Sequence, residues 1–190
     1  MEYVLIIIGA ILVNNVVLSQ FLGICPFLGV SNKISTASGM GMAVTFVLSI
    51  ATITTWLLYK YVLEPLNIEF MQAITYILII ASLVQMVETV LKKVSPALYQ
   101  ALGVFLPLIT TNCVILGVTL LVIQKDFNFI TSIVYAISTG LGYMLALIIF
   151  AGLREQIELS DTPSGMRGTP IALITAGILA MAFMGFSGMV

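Results

Sequence analysis

Six runs of this sequence contain no charged side chain: 3–32, 34–59, 70–87, 94–124, 127–153 and 168–190. A hydrocarbon layer about 30 Å thick is crossed by roughly 20 apolar residues of helix, and all but the third run exceed that length. The third gains the missing turn if Glu88 sits at the membrane interface. In lipid every backbone amide must find its partner inside the protein, which leaves helices or a closed barrel. The runs lack the strict alternation of apolar and polar residues that a barrel strand needs. The fold expected is therefore an all-α integral membrane protein with six transmembrane helices.

Composition excludes the alternatives. Of 190 residues, 61% are hydrophobic and 8% are charged, whereas a soluble domain carries about a quarter charged residues to cover its surface. Mean hydropathy is +1.19. The net charge of −1, with no basic tail, offers nothing for nucleic acid to bind. The first run lacks a small-residue cleavage site and is too long for a signal-peptide core, so it is expected to stay in the mature chain.

The loops set an expected orientation. Connections after the first, third and fifth spans hold Lys33, Lys92, Lys93, Arg154 and Arg167; those after the second and fourth hold Lys60 and Lys125. Positive charge accumulates on the cytoplasmic side, which puts both termini outside. The stretch 154–169 is too short to be a domain, so any chemistry belongs in the membrane or in partner chains.

Two halves of the chain echo each other. Cys25-Pro-Phe-Leu28-Gly29-Val30 and Cys113-Val-Ile-Leu116-Gly117-Val118 both read C-x-x-L-G-V, 88 residues apart. Ser38-Gly39-Met-Gly41 and Thr139-Gly140-Leu-Gly142 follow at a spacing of 101. The expectation is one membrane domain made of two repeats, about 1–92 and 93–190. Three spans per repeat force the second copy to lie inverted, as in transporters whose site sits at the midplane on interrupted helices.

The interruptions are legible. The first span carries Asn14-Asn15 and then Gly23-Ile-Cys25-Pro26; the fourth carries Gly103, Pro107 and Thr110-Thr111-Asn112-Cys113. Proline removes a backbone donor and clashes with the preceding turn. Irregular backbone survives at membrane depth only where it is buried in protein or lines a cavity. Both cysteines thus fall on weakened helices at equivalent places in the repeats. An intramembrane cysteine taken singly is commonly a small buried hydrophobe, and a disulfide suits oxidising compartments instead. The third reading is a metal site. Common iron–sulfur clusters need four thiolates, and the chain has two cysteines and no histidine. It can supply half of such a site, with a partner giving the rest.

"NNVVLSQFLGICPFLGVS" in the first span, "FLPLITTNC" in the fourth and "VQMVETVLKKVSPALYQALG" between them closely resemble the RnfA family, membrane subunits of the Rnf ion-translocating electron-transport complex. The E-type subunit of the sodium-translocating NADH:quinone reductase is similar, less closely. The resemblance covers essentially the whole chain. It implies a bacterial or archaeal cell membrane protein paired with a homologous, oppositely oriented one, RnfE. Between them the pair is expected to hold a [2Fe–2S] cluster, with Cys25 and Cys113 as this chain's ligands. The whole complex, with RnfB, RnfC, RnfD and RnfG, passes electrons between ferredoxin and NAD⁺ and couples this to Na⁺ or H⁺ transport. Flavins and further iron–sulfur clusters belong to other subunits.

A thiolate-bound cluster carries negative charge, which is expensive in lipid. Broken helices offset this by turning backbone N–H groups toward sulfur. Thr110, Thr111 and Asn112 are candidate donors to the sulfurs; equally, they can satisfy carbonyls freed by Pro107. Glu88, four residues before Lys92, reads as an interfacial ion pair or as part of a cation path. Asn14 and Asn15 read as interhelical hydrogen-bond partners or as residues of that path. The Gly-x-Gly pairs lack a preceding strand and a third glycine, so they suit close helix packing better than phosphate binding. Two other classes compete with the redox reading. An inverted-repeat transporter for a small molecule or ion predicts a polar midplane pocket and dispensable cysteines. A structural scaffold predicts the same dispensability without the pocket.

Overall fold

A computed structural model of the chain describes residues 2–66, 69–94, 106–160, 163 and 165–186. Every regular element among them is helical. Four helices are long and apolar enough to cross a membrane: Ile34–Leu63, Gln72–Val90, Pro107–Gln124 and Phe129–Glu158. The first and sixth charge-free runs form shorter apolar helices, Tyr3–Val13 and Thr169–Met184. The chain is a multi-pass membrane protein.

The first run is broken as its sequence implies. Helix α1 (Glu2–Ile8) continues through a π turn, Gly9–Val13, and stops at Asn14. The backbone is then non-helical until α2 (Ile24–Gly29). Asn15 organises this gap: its side-chain oxygen accepts from the amides of Val17 (3.1 Å) and Leu18 (3.4 Å). Its Nδ2 donates to the carbonyls of Ile11 (3.1 Å) and Gly142 (2.9 Å). The bonds to Val17, Leu18 and Ile11 replace ones that a helix would have made, which is the condition for irregular backbone away from water, and the bond to Gly142 ties the gap to a neighbouring helix. Val16, Val17 and Leu18 are buried by the same fold-back. Phe21 (φ 56) and Gly23 (φ 77) take the left-handed backbone that turns the chain into α2.

The fourth run breaks in the same manner. Helix α5 (Leu106–Thr110) ends at Thr111, and α6 (Cys113–Gln124) begins just beyond it, capped by Asn112. Gly103 and the rest of 95–105 lie outside the described residues.

Two long helices form the centre. Helix α3 (Ile34–Leu58) begins after an extended Lys33 and runs on through a π turn, Tyr59–Leu63. Helix α7 (Phe129–Glu158) has 30 residues and so rises about 45 Å at 1.5 Å per residue. They pack antiparallel: a Cβ at Gly41 would meet Met144 Cγ at 2.6 Å, and one at Gly140 would meet Thr45 Cγ2 at 2.7 Å. Lipid tails are as apolar as leucine, so close approach through small residues is what holds membrane helices together. The Gly-x-Gly pairs therefore serve packing at Gly41, Gly140 and Gly142, while Gly39 faces open space. Helix α4 (Gln72–Val94) packs beside α6, and α8 (Thr169–Met184) closes the array with only Ala172 buried.

Candidate metal centre

Both cysteines open helices. Cys113 is the first residue of α6 and Cys25 the second residue of α2, each directly after a break. The breaks meet, because the Gly23 amide donates to Cys113 Sγ at 2.9 Å. Only glycine fits there. Gly23 has a left-handed φ, and an added Cβ would overlap Val114 Cγ2 and sit 2.9 Å from Tyr143 Cε2. Cys25 is exposed and Cys113 half-buried, and both are free thiols.

The short helix α2 is held at both ends. At its start lies the Gly23–Cys113 bond. At its close, Arg154 reaches from α7 and donates from Nη1 to the Leu28 carbonyl (2.8 Å) and to Ser31 Oγ (3.1 Å). A cation belongs at a helix C-terminus, where carbonyls point outward. Phe27 stacks on Phe150 with ring centroids 4.2 Å apart, fixing the face of α2 against α7.

Two buried donors stand without partners beside the thiols. Asn112 Oδ1 accepts from the Val114 amide at 3.1 Å, which fixes the amide so that Nδ2 faces away from the cap. Asn112 Nδ2 and the Tyr143 hydroxyl are both buried, and neither has a partner in hydrogen-bonding geometry. The Tyr143 phenol approaches the Asn112 side chain as a loose hydrogen-bond neighbour and lies within electrostatic reach of Cys113 and Cys25. Buried polar groups are almost always well paired, and these two, side by side, are not.

The sequence candidates separate on this map. Cys113 and Asn112 lie at the junction of the two breaks, and Cys25 follows two residues after Gly23, with both thiols within electrostatic reach of Tyr143. Thr111 is exposed and its hydroxyl donates to the Pro107 carbonyl at 3.1 Å, supporting the broken turn. Thr110 is half-buried at the end of α5. Asn15 is fully buried and bonds to Gly142, next to Tyr143. Asn14 is exposed and lines a groove against α8 with Ser19 and Met181. Glu88 is half-buried on α4. Sequence reading missed Tyr143 altogether, treated Arg154 only as a loop charge and gave Gly23 no role beyond weakening a helix. A tyrosine in the middle of a long apolar run, away from the interfacial belts where tyrosine gathers, was the available signal for the first of them.

Among the described residues no three potential metal ligands gather. Two thiols with an amide on one sulfur and two idle donors nearby suit half of a four-thiolate site, and Cys25 is open to a partner. The family described as "Rnf-Nqr subunit, membrane protein" matches residues 3–190. The chain belongs to the Rnf-Nqr family. Its relatives in that family span it end to end. The A-type subunit of the ion-translocating oxidoreductase complex of Syntrophotalea carbinolica is 59% identical, covering 98% of this chain and 96% of its own. The A-type subunit of the Na⁺-translocating ferredoxin:NAD⁺ oxidoreductase complex of Acetobacterium woodii is 56% identical, over 100% and 98%. The ion-translocating oxidoreductase counterpart from Vibrio cholerae is 53% identical, again over 100% and 98%. The resemblance found in the cysteine motifs thus extends over the Rnf-Nqr chain as a whole.

Proposed function

We propose that this chain is a membrane subunit of an ion-translocating ferredoxin:NAD⁺ oxidoreductase, and that Cys25 and Cys113 hold half of a [2Fe–2S] cluster. The observation that carries the reading is the meeting of two helix breaks at the thiols, with the Gly23 amide on Cys113 Sγ. The other two thiolates come from the homologous RnfE, lying inverted in the membrane. The names of the relatives support membership in such a complex. Six spans in two inverted repeats, with both termini outside, complete the proposal. In it the broken first span crosses as α1, the gap and α2 together.

When bound, the cluster supplies a one-electron relay part-way across a layer about 30 Å thick, a distance over which direct tunnelling is too slow. This chain's residues hold and shape its half. Asn15 and Arg154 fix the gap and α2, Gly23 donates to Cys113, and the exposed Cys25 faces the partner. A transporter without a redox centre would want a polar pocket here. The groove that reaches Ile24, the neighbour of Cys25, is instead lined by Val17, Leu18, Phe21, Leu173 and Ala176. The test is Cys25→Ser, Cys113→Ser and the double variant, each purified with the partner subunits. Serine is a much harder and poorer ligand for iron than thiolate. Loss of two irons per complex and of the reduced-state paramagnetic signal is expected; unchanged iron in the double variant overturns the proposal.

A further inference from the structure

We propose that Tyr143, with Asn112, donates hydrogen bonds to the sulfurs held by Cys25 and Cys113 and thereby raises the reduction potential of the site. The inference rests on the proposed cluster. Tyr143 is fully buried and its hydroxyl has no partner in hydrogen-bonding geometry. A phenylalanine would fill the same volume without stranding a polar group, so packing does not account for the oxygen. Asn112 Nδ2 is stranded beside it while Oδ1 is committed to the Val114 amide. Both groups can donate, their approach to each other falls short of good hydrogen-bond geometry, and sulfur at the neighbouring thiols would supply the acceptor.

The packing binds these groups into one unit. The Gly23 Cα, whose amide holds Cys113 Sγ, faces Tyr143 Cε2 and Asn112 Oδ1 so closely that a Cβ would sit at 2.9 and 3.5 Å. Neighbouring Gly142 accepts from Asn15 at 2.9 Å, so the helix turn that carries Tyr143 is pinned to the first break. The phenol cannot swing away without disturbing both breaks.

The chemistry is one-electron reduction of ferric to ferrous iron, with no proton transferred. The added negative charge spreads over the sulfurs and strengthens hydrogen bonds donated to them. Donors to sulfur therefore favour the reduced state, one of the levers that set iron–sulfur potentials.

The experiment is a dithionite titration of the complex containing RnfE, followed by electron paramagnetic resonance, for wild type, Tyr143→Phe, Asn112→Ser and Tyr135→Phe. Serine at 112 keeps a capping oxygen and removes Nδ2. Tyr135 is a buried control on α7 that packs against Phe127. Tyr143→Phe is expected to weaken reduction about tenfold, a midpoint lower by ~59 mV for one electron. Asn112→Ser should move the same way and Tyr135→Phe should not move. Unshifted midpoints in iron-loaded Tyr143→Phe or Asn112→Ser overturn the donor role. Wild type without iron would instead remove the cluster reading itself.

Discussion

Replacing Gly23 by alanine adds one methyl group where the structure has no room. Two costs follow. Gly23 sits at φ 77, and L-residues pay roughly 1–2 kcal/mol to adopt left-handed backbone. The new Cβ also overlaps Val114 Cγ2 and approaches Tyr143 Cε2 to 2.9 Å, and overpacking of this kind costs about 1–3 kcal/mol. Neither contact is the free end of a flexible chain, because Val114 and Tyr143 are both fully buried. The sum is about 2–5 kcal/mol, a large share of the ~5–15 kcal/mol that holds a typical fold. At roughly 2–4 °C per kcal/mol for a protein of this size, thermal unfolding in detergent should fall by about 4–20 °C. Relief of the clash also pulls the Gly23 amide from Cys113 Sγ, so Cys113 should react faster with a maleimide. Gly29→Ala is the control: it occupies the matching motif position to Gly117, has no atom within 4 Å of an added Cβ, and should be neutral or slightly stabilising. A Gly23→Ala protein that melts with its parent and labels no faster would refute this account of the junction.

Arg154→Ala should lower stability by about 3 kcal/mol, the low end for two hydrogen bonds to a charged group worth ~1.5–3 kcal/mol each, because the half-exposed Arg154 makes one to Leu28 and one to Ser31; Arg154→Lys should recover part of the loss in the same melting assay. Asn15→Ala should cost on the order of 3 kcal/mol, since it strands the buried Val17 and Leu18 amides that Asn15 serves; a melting point within about 1–2 °C of wild type, the effect of a neutral surface change, would contradict it. Reporter fusions should place the loop 154–169 in the cytoplasm and both termini outside, following the charge bias of the loops; a cytoplasmic C-terminus would reverse the proposed orientation.

The helical class was readable because lipid leaves few options: charge-free runs at 34–59 and 127–153 became α3 and α7 with little adjustment. The breaks were readable too, since Pro107, Gly23 and the paired asparagines are costly inside a helix. Their geometry was not. Propensity gives no reason to expect left-handed backbone at a phenylalanine, yet Phe21 adopts it while 64% exposed; the tight path from Asn15 to α2 imposes it. The repeat motif also concealed an asymmetry. Gly117 is covered by Leu22, whereas Gly29 meets nothing, so the same residue serves packing in one half only. The positions of Tyr143 and Arg154 beside the breaks were not legible because helix rotation decides what a side chain faces, and rotation comes from the α3–α7 packing rather than from local sequence. The first and sixth runs were long enough to span as sequence, but the first spends Asn14–Gly23 on the break, and the described helix of the sixth has 16 residues.

The central claim is that the chain carries half of a shared site. It is tested most directly by measuring iron and acid-labile sulfide in this chain purified by itself and purified with RnfE. Two thiols and no histidine cannot complete a four-thiolate site, so the isolated chain should hold no stable cluster and the pair should hold two irons and two sulfides. A full complement in the isolated chain would contradict the shared site.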